Sequence, residues 1–84
     1  MTYQQRLALA LVALGEGDEA GAQAGLDAAL AEAGRIDPEG PRVAEVLTYV
    51  AQVHLQAGRA VEAAAALARV RAIHARFPGL SDAP

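Results

Sequence analysis

His54 and His74 are the two side chains of this sequence with the widest chemical repertoire. A metal site built on them needs carboxylates at helical spacing, and no HxxxH or ExxH arrangement accompanies either one. Glu45 and Glu62 are the nearest recruits, on separate segments. The single serine, Ser81, lies in the C-terminal tail, away from both histidines, so no serine–histidine–acid relay is spelled out. There is no cysteine, which removes thiolate nucleophiles, disulfides and thiolate metal ligands together. No glycine-rich turn follows a strand to cradle a phosphate. Neither catalysis nor a metal or cofactor is expected.

Arg69, Arg71 and Arg76, with His74, form the remaining cluster, and its chemistry would be contact with phosphates. On one helix Arg71 projects away from Arg69 and Arg76, and that segment has no Asn, Gln, Ser or Lys to read base edges. Cations near a helix C-terminus are also ordinary compensation of the helix dipole. A nucleic-acid-associated regulator working through this segment is therefore the second functional reading, behind protein binding.

The elements that would carry these residues follow from composition and punctuation. Eighty-four residues, 54% apolar but only 4% aromatic, make one small domain. A chain of that length buries about 60–65% of its unfolded surface. Alanine supplies most of the apolar fraction, which favours helix strongly and contributes little burial per residue. Net charge is −3 and is divided unevenly. Residues 1–41 carry two arginines and seven acids, net −5, whereas residues 42–84 carry five arginines and three acids, net +2. Such asymmetry permits end-to-end association between copies. Neither nucleic acid nor an anionic membrane is favoured by the overall charge. Arginine without lysine, with abundant alanine and glycine, suits a GC-rich bacterial genome. The apolar run Leu7–Leu14 behind Arg6 is too short to span a bilayer and lacks a clean small-x-small cleavage site, so a cytoplasmic protein is expected.

Gly15/Gly17, Gly34, Gly58 and Pro78-Gly79 divide the chain into four alanine- and leucine-rich segments. Thr2-x-x-Gln5 has the spacing of a capping box, Asp18 can cap the next segment, and Pro41 suits the first position of the third. Helices are predicted near 3–14, 19–33, 42–57 and 60–76 in a single domain over 1–78, with a loose tail at 79–84. No segment alternates like a strand.

A shift of 41 residues superposes the two halves. Leu9 falls on Val50, Ala10 on Ala51, Gly17 on Gly58, Ala22 on Ala63, Ala24 on Ala65, Leu26 on Leu67 and Ala29 on Val70. Each half is a helix, a glycine turn and a second helix (hairpin one 3–33, hairpin two 42–76). In Leu47, Val50-Ala51, His54, Gly58, Ala63, Leu67 and Val70, and more loosely in Leu9-Ala10, Ala13, Gly17, Ala22, Leu26 and Ala29, the chain resembles the tetratricopeptide repeat. Arg6 stands at the family's bulky first position, Ala13 and His54 replace its tyrosine, and the period exceeds the usual ~34 residues. The resemblance implies an all-α fold of four antiparallel helices arranged as two stacked hairpins; the alternative is a simple four-helix bundle.

The resemblance also implies partner binding on a face lined by the first helix of each hairpin. Carried over position by position, that face comprises Gln4, Leu7, Leu11 and Leu14 in the first half and Glu45, Thr48, Gln52, Leu55 and Gln56 in the second. The first helix is apolar nearly all round, so Leu7, Leu11 and Leu14 either face a partner or place it centrally in a bundle. Two hairpins are few for a self-sufficient stack. The function expected is a protein–protein interaction module. It would be a self-associating scaffold, a two-fold dimer buried at Leu7, Leu11 and Leu14, or an adaptor gripping a helix or peptide of a partner.

Overall fold

A computed structural model describes residues 2–77, which form four α-helices and no strand: α1 (Tyr3–Gly15), α2 (Glu19–Ile36), α3 (Pro41–Gln56) and α4 (Ala60–Arg76). The all-α, four-helix expectation holds. The tail expected at 79–84 lies outside the described residues.

Local chemistry accounts for most helix boundaries. The capping box opens α1: Gln5 N–H donates to Thr2 Oγ1 at 3.2 Å, and Thr2 N–H donates to Gln5 Oε1 at 2.9 Å. Asp18 Oδ1 accepts from Gly21 N–H at 2.9 Å and opens α2. Pro41 is the first residue of α3, where its missing N–H costs nothing.

The α2 C-terminus differs from the expected residue 33. Gly34 does not stop the helix, which continues to Ile36. It ends at Asp37, held extended (φ −157°, ψ 110°) because the following Pro38 disfavours helical backbone before it. Asp37 Oδ1 then accepts from Glu39 N–H, and its carbonyl from Gly40 N–H, which closes the turn into α3.

The two hairpin turns repeat each other at the 41-residue shift. Gly17 and Gly58 both adopt φ +80°. Gly17 N–H donates to Leu14 O and Asp18 N–H to Ala13 O; Gly58 N–H donates to Leu55 O and Arg59 N–H to His54 O. Both are Schellman ends, in which a left-handed glycine lets the chain reverse while capping the last carbonyls.

The principal packing joins α1 to α2, α2 to α3 and α3 to α4. Leu26, Val43, Val46, Val53 and Ile73 are the largest fully buried side chains. Alanines complete the core at Ala22, Ala29 and Ala33 on α2, Ala44 and Ala51 on α3, and Ala63 and Ala66 on α4. Small residues permit close helix contact: a Cβ placed on Gly25 would stand 2.8 Å from Ala10 Cβ. No helix among the described residues is long and apolar enough to cross a membrane.

Candidate partner-binding face

The close approach of Ala10 to Gly25 sets the rotation of α1 about its axis. Leu7 and Leu14 lie three residues before and four after Ala10, on the same side of the helix. They turn inward with it. Leu7 is buried in the core cluster, and Leu11 and Leu14 are half-buried against that cluster. Of the expected leucine stripe, Leu7 thus packs in the core of the chain and Leu11 and Leu14 at its edge, as the alternative of a centrally placed α1 has it. What α1 turns outward is Leu9 and Val12, with Gln4, Gln5, Ala8 and Glu16 exposed around them. Ala10 is a small residue of the kind that lets another helix come close, but Ala8 and Ala13 offer the same on other sides of α1, so the sequence alone did not single out this face.

The five positions expected on α3 all reach solvent. Glu45, Thr48, Gln52, Leu55 and Gln56 are exposed along one side of the helix. They fall at i, i+3, i+7, i+10 and i+11, which is the spacing of a single helical face. Leu55 is the large apolar residue of this strip. Thr48 Oγ1 donates to Ala44 O at 2.9 Å, which fixes its rotamer and leaves the oxygen able to accept.

Two clefts lie beside α1 and α3. One, of about 150 Å³, is lined by Leu14, Gly17, Glu19, Val53 and Gln56, where the C-terminal ends of α1 and α3 meet the start of α2. The other, of about 420 Å³, is lined by Thr2, Tyr3, Gln4, Glu32, Ile36 and Arg42 at the opposite end. Leu14 and Gln56 therefore share a cleft, and Gln4 lines the second one. Leu7, Leu11, Thr48 and Gln52 line neither cleft.

Polar contacts tie the ends of the helices together. Arg59 Nε donates to His54 Nδ1 at 2.9 Å, so His54 accepts through that nitrogen. Arg59 Nη1 donates to Glu19 Oε1 at 2.8 Å. At the other end Arg6 Nε and Arg35 Nη1 lie 3.9 and 3.5 Å from Glu32 Oε1. Among the described residues no three His, Asp or Glu side chains converge as ligands of a metal would. On α4, Arg69, Arg71 and Arg76 are exposed, and the Arg76 guanidinium lies 5.7 Å from the Phe77 ring centroid.

Among the described residues α3 thus presents an exposed, mostly uncharged strip with one large apolar residue, Leu55, beside a shallow cleft. No family model, curated protein or solved structure matches this chain.

Proposed function

We propose that this chain is a protein–protein interaction module that receives a helix or peptide of a partner on the exposed side of α3. The observation carrying the reading is the composition of that side. Leu55 is 58% exposed and sits among Thr48, Gln52, Gln56 and Glu45, next to the cleft that Gln56 shares with Leu14. An apolar anchor surrounded by groups able to donate and accept hydrogen bonds suits a polypeptide, whose backbone presents both. The strip's amides and hydroxyl favour an uncharged segment over a phosphate or a strongly acidic tract.

Selection from a random peptide library on the immobilised chain tests this reading. Selected peptides should lose binding at least ten-fold against Leu55→Glu and keep it against Val61→Glu, which alters an exposed apolar residue on α4. Selected peptides indifferent to Leu55→Glu, or a library that yields none, would remove α3 from consideration.

A further inference from the structure

The two halves share their turns and their sequence register, so each residue of one hairpin has an equivalent 41 positions away in the other. Burial at equivalent positions then shows what each hairpin lacks. On α1, Leu9 and Val12 are 58% and 59% exposed; their equivalents on α3, Val50 and Val53, are 8% and 1% exposed. Exposed Gln5 corresponds to fully buried Val46 in the same way. The α3 residues are covered because α3 packs against both α2 and α4, whereas α1 packs principally against α2 alone. The outer face of α1 is thus the face that, on α3, is covered by the preceding hairpin.

The complementary deficit lies at the other end. Leu26 and Ala33 of α2 are fully buried, and their equivalents on α4, Leu67 and His74, are half-exposed. Helix α2 has a helix on either side, while α4 packs principally against α3. Exposed Ala60 and Ala64 adjoin Leu67 on α4. On α3, Leu55 is likewise more exposed than its equivalent, half-buried Leu14.

We propose that the partner of this module is a second copy of the same chain, docked head to tail, with α1 of one copy on the open α3–α4 end of the next. This rests on the reading of the chain as an interaction module and adds, beside the α3 strip, a second contact between the outer side of α1 and α4. Leu9 and Val12 of the incoming copy take the place that Val50 and Val53 occupy within the chain, and they cover Leu67, Ala60 and Ala64. The repeat register selects this arrangement over a symmetric one, because within the chain α3 meets α2 as the incoming α1 would meet α4. The charge of the two halves runs the same way at long range, residues 1–41 carrying net −5 and residues 42–84 net +2. Exposed Arg71 on α4 and exposed Glu16 at the end of α1 supply one pair of opposite charges near the two faces, while Arg6 is the charge within α1 itself. The contact is heterologous, so it grows into a stack or closes into a ring.

Two variants and their mixture test this by light scattering on a gel-filtration column, with circular dichroism confirming that each variant retains wild-type helix content. Leu9→Glu/Val12→Glu blocks the α1 face, and Ala64→Glu blocks the α4 face, all at exposed positions. The wild-type chain should exceed its monomer mass of 8.6 kDa increasingly with concentration, and the excess should fall as salt is raised. Each variant alone should be a monomer, and an equimolar mixture should give a dimer through the two intact faces. If the Ala64→Glu variant still forms a dimer alone, the contact is α1 to α1 and the proposal fails. Wild-type chain monomeric up to millimolar concentration overturns it as well. In that case peptides that bind the monomer in a Leu55-dependent manner would leave the module reading standing, and their absence would end both.

Discussion

Arg59 and Glu19 lie forty residues apart in the chain, yet the Arg59 guanidinium donates to the Glu19 carboxylate at 2.8 Å. Through its Nε the same guanidinium holds His54, so the second hairpin turn is pinned both to its own helix α3 and to the first turn of α2. Asp18, the equivalent of Arg59 in the first turn, is spent on capping α2. The inter-hairpin tie therefore exists because the two turns share a backbone but carry different side chains, Arg59 and His54 standing where the first turn has Asp18 and Ala13.

That tie is solvent-exposed on both sides, at 37% and 53% of the side chains. Its expected coupling is modest, below about 1 kcal/mol. A double-mutant cycle with Glu19→Ala and Arg59→Ala in urea should return that coupling, and it should shrink at high salt. A coupling above about 2 kcal/mol would show that the pair is better shielded from water than its exposure indicates.

Gly25 and Gly34 sit on the same helix and should respond oppositely to alanine. A Cβ at Gly25 meets Ala10 Cβ at 2.8 Å and Ala10 Cα at 3.2 Å, so α1 and α2 must move apart. Gly25→Ala should lower stability by about 1–3 kcal/mol despite its better helix propensity. At Gly34 nothing lies within 4 Å, and alanine should raise stability by about 0.5–1 kcal/mol. Thermal denaturation of the two variants reads the contrast directly.

Gly17 and Gly58 close the hairpins at φ +80° with open space around them. Their substitution cost is purely conformational. Alanine at either should lose about 1–2 kcal/mol, and asparagine less, because asparagine tolerates the left-handed region better. Equal losses at the two sites, measured by chemical denaturation, would confirm that the turns are equivalent in energy as well as in hydrogen bonding.

Leu7 and Leu9 test the rotation of α1. Leu7→Ala removes a buried side chain and should cost about 2–5 kcal/mol, enough to unfold much of a domain this small. Leu9→Ala removes an exposed one and should stay within about 0.5 kcal/mol of wild type in dilute solution. The reverse order would mean that α1 presents its Leu7 side outward.

Much of this fold was legible along the chain. Thr2, Asp18 and Pro41 announced three helix starts, and the 41-residue register announced that Gly17 and Gly58 make the same turn. These features are legible because capping and turn chemistry act over three to six residues. Gly34 misled for a related reason: glycine marks a helix end only where the chain turns left-handed, and the pre-proline restriction on Asp37 decided the boundary instead.

Local sequence thus determined that there would be four helices, where three of them begin, and that the halves are paired by a common turn. It did not determine which side of α1 is inside. With leucine, valine or alanine at every position from Leu7 to Leu14, helix periodicity selects no single apolar face. The tertiary structure made that choice through a distant residue, because Gly25 leaves room for Ala10 and rotates Leu7 into the core and Leu9 out to solvent. Close packing between segments is a relation of shapes across space, and no single segment encodes it alone.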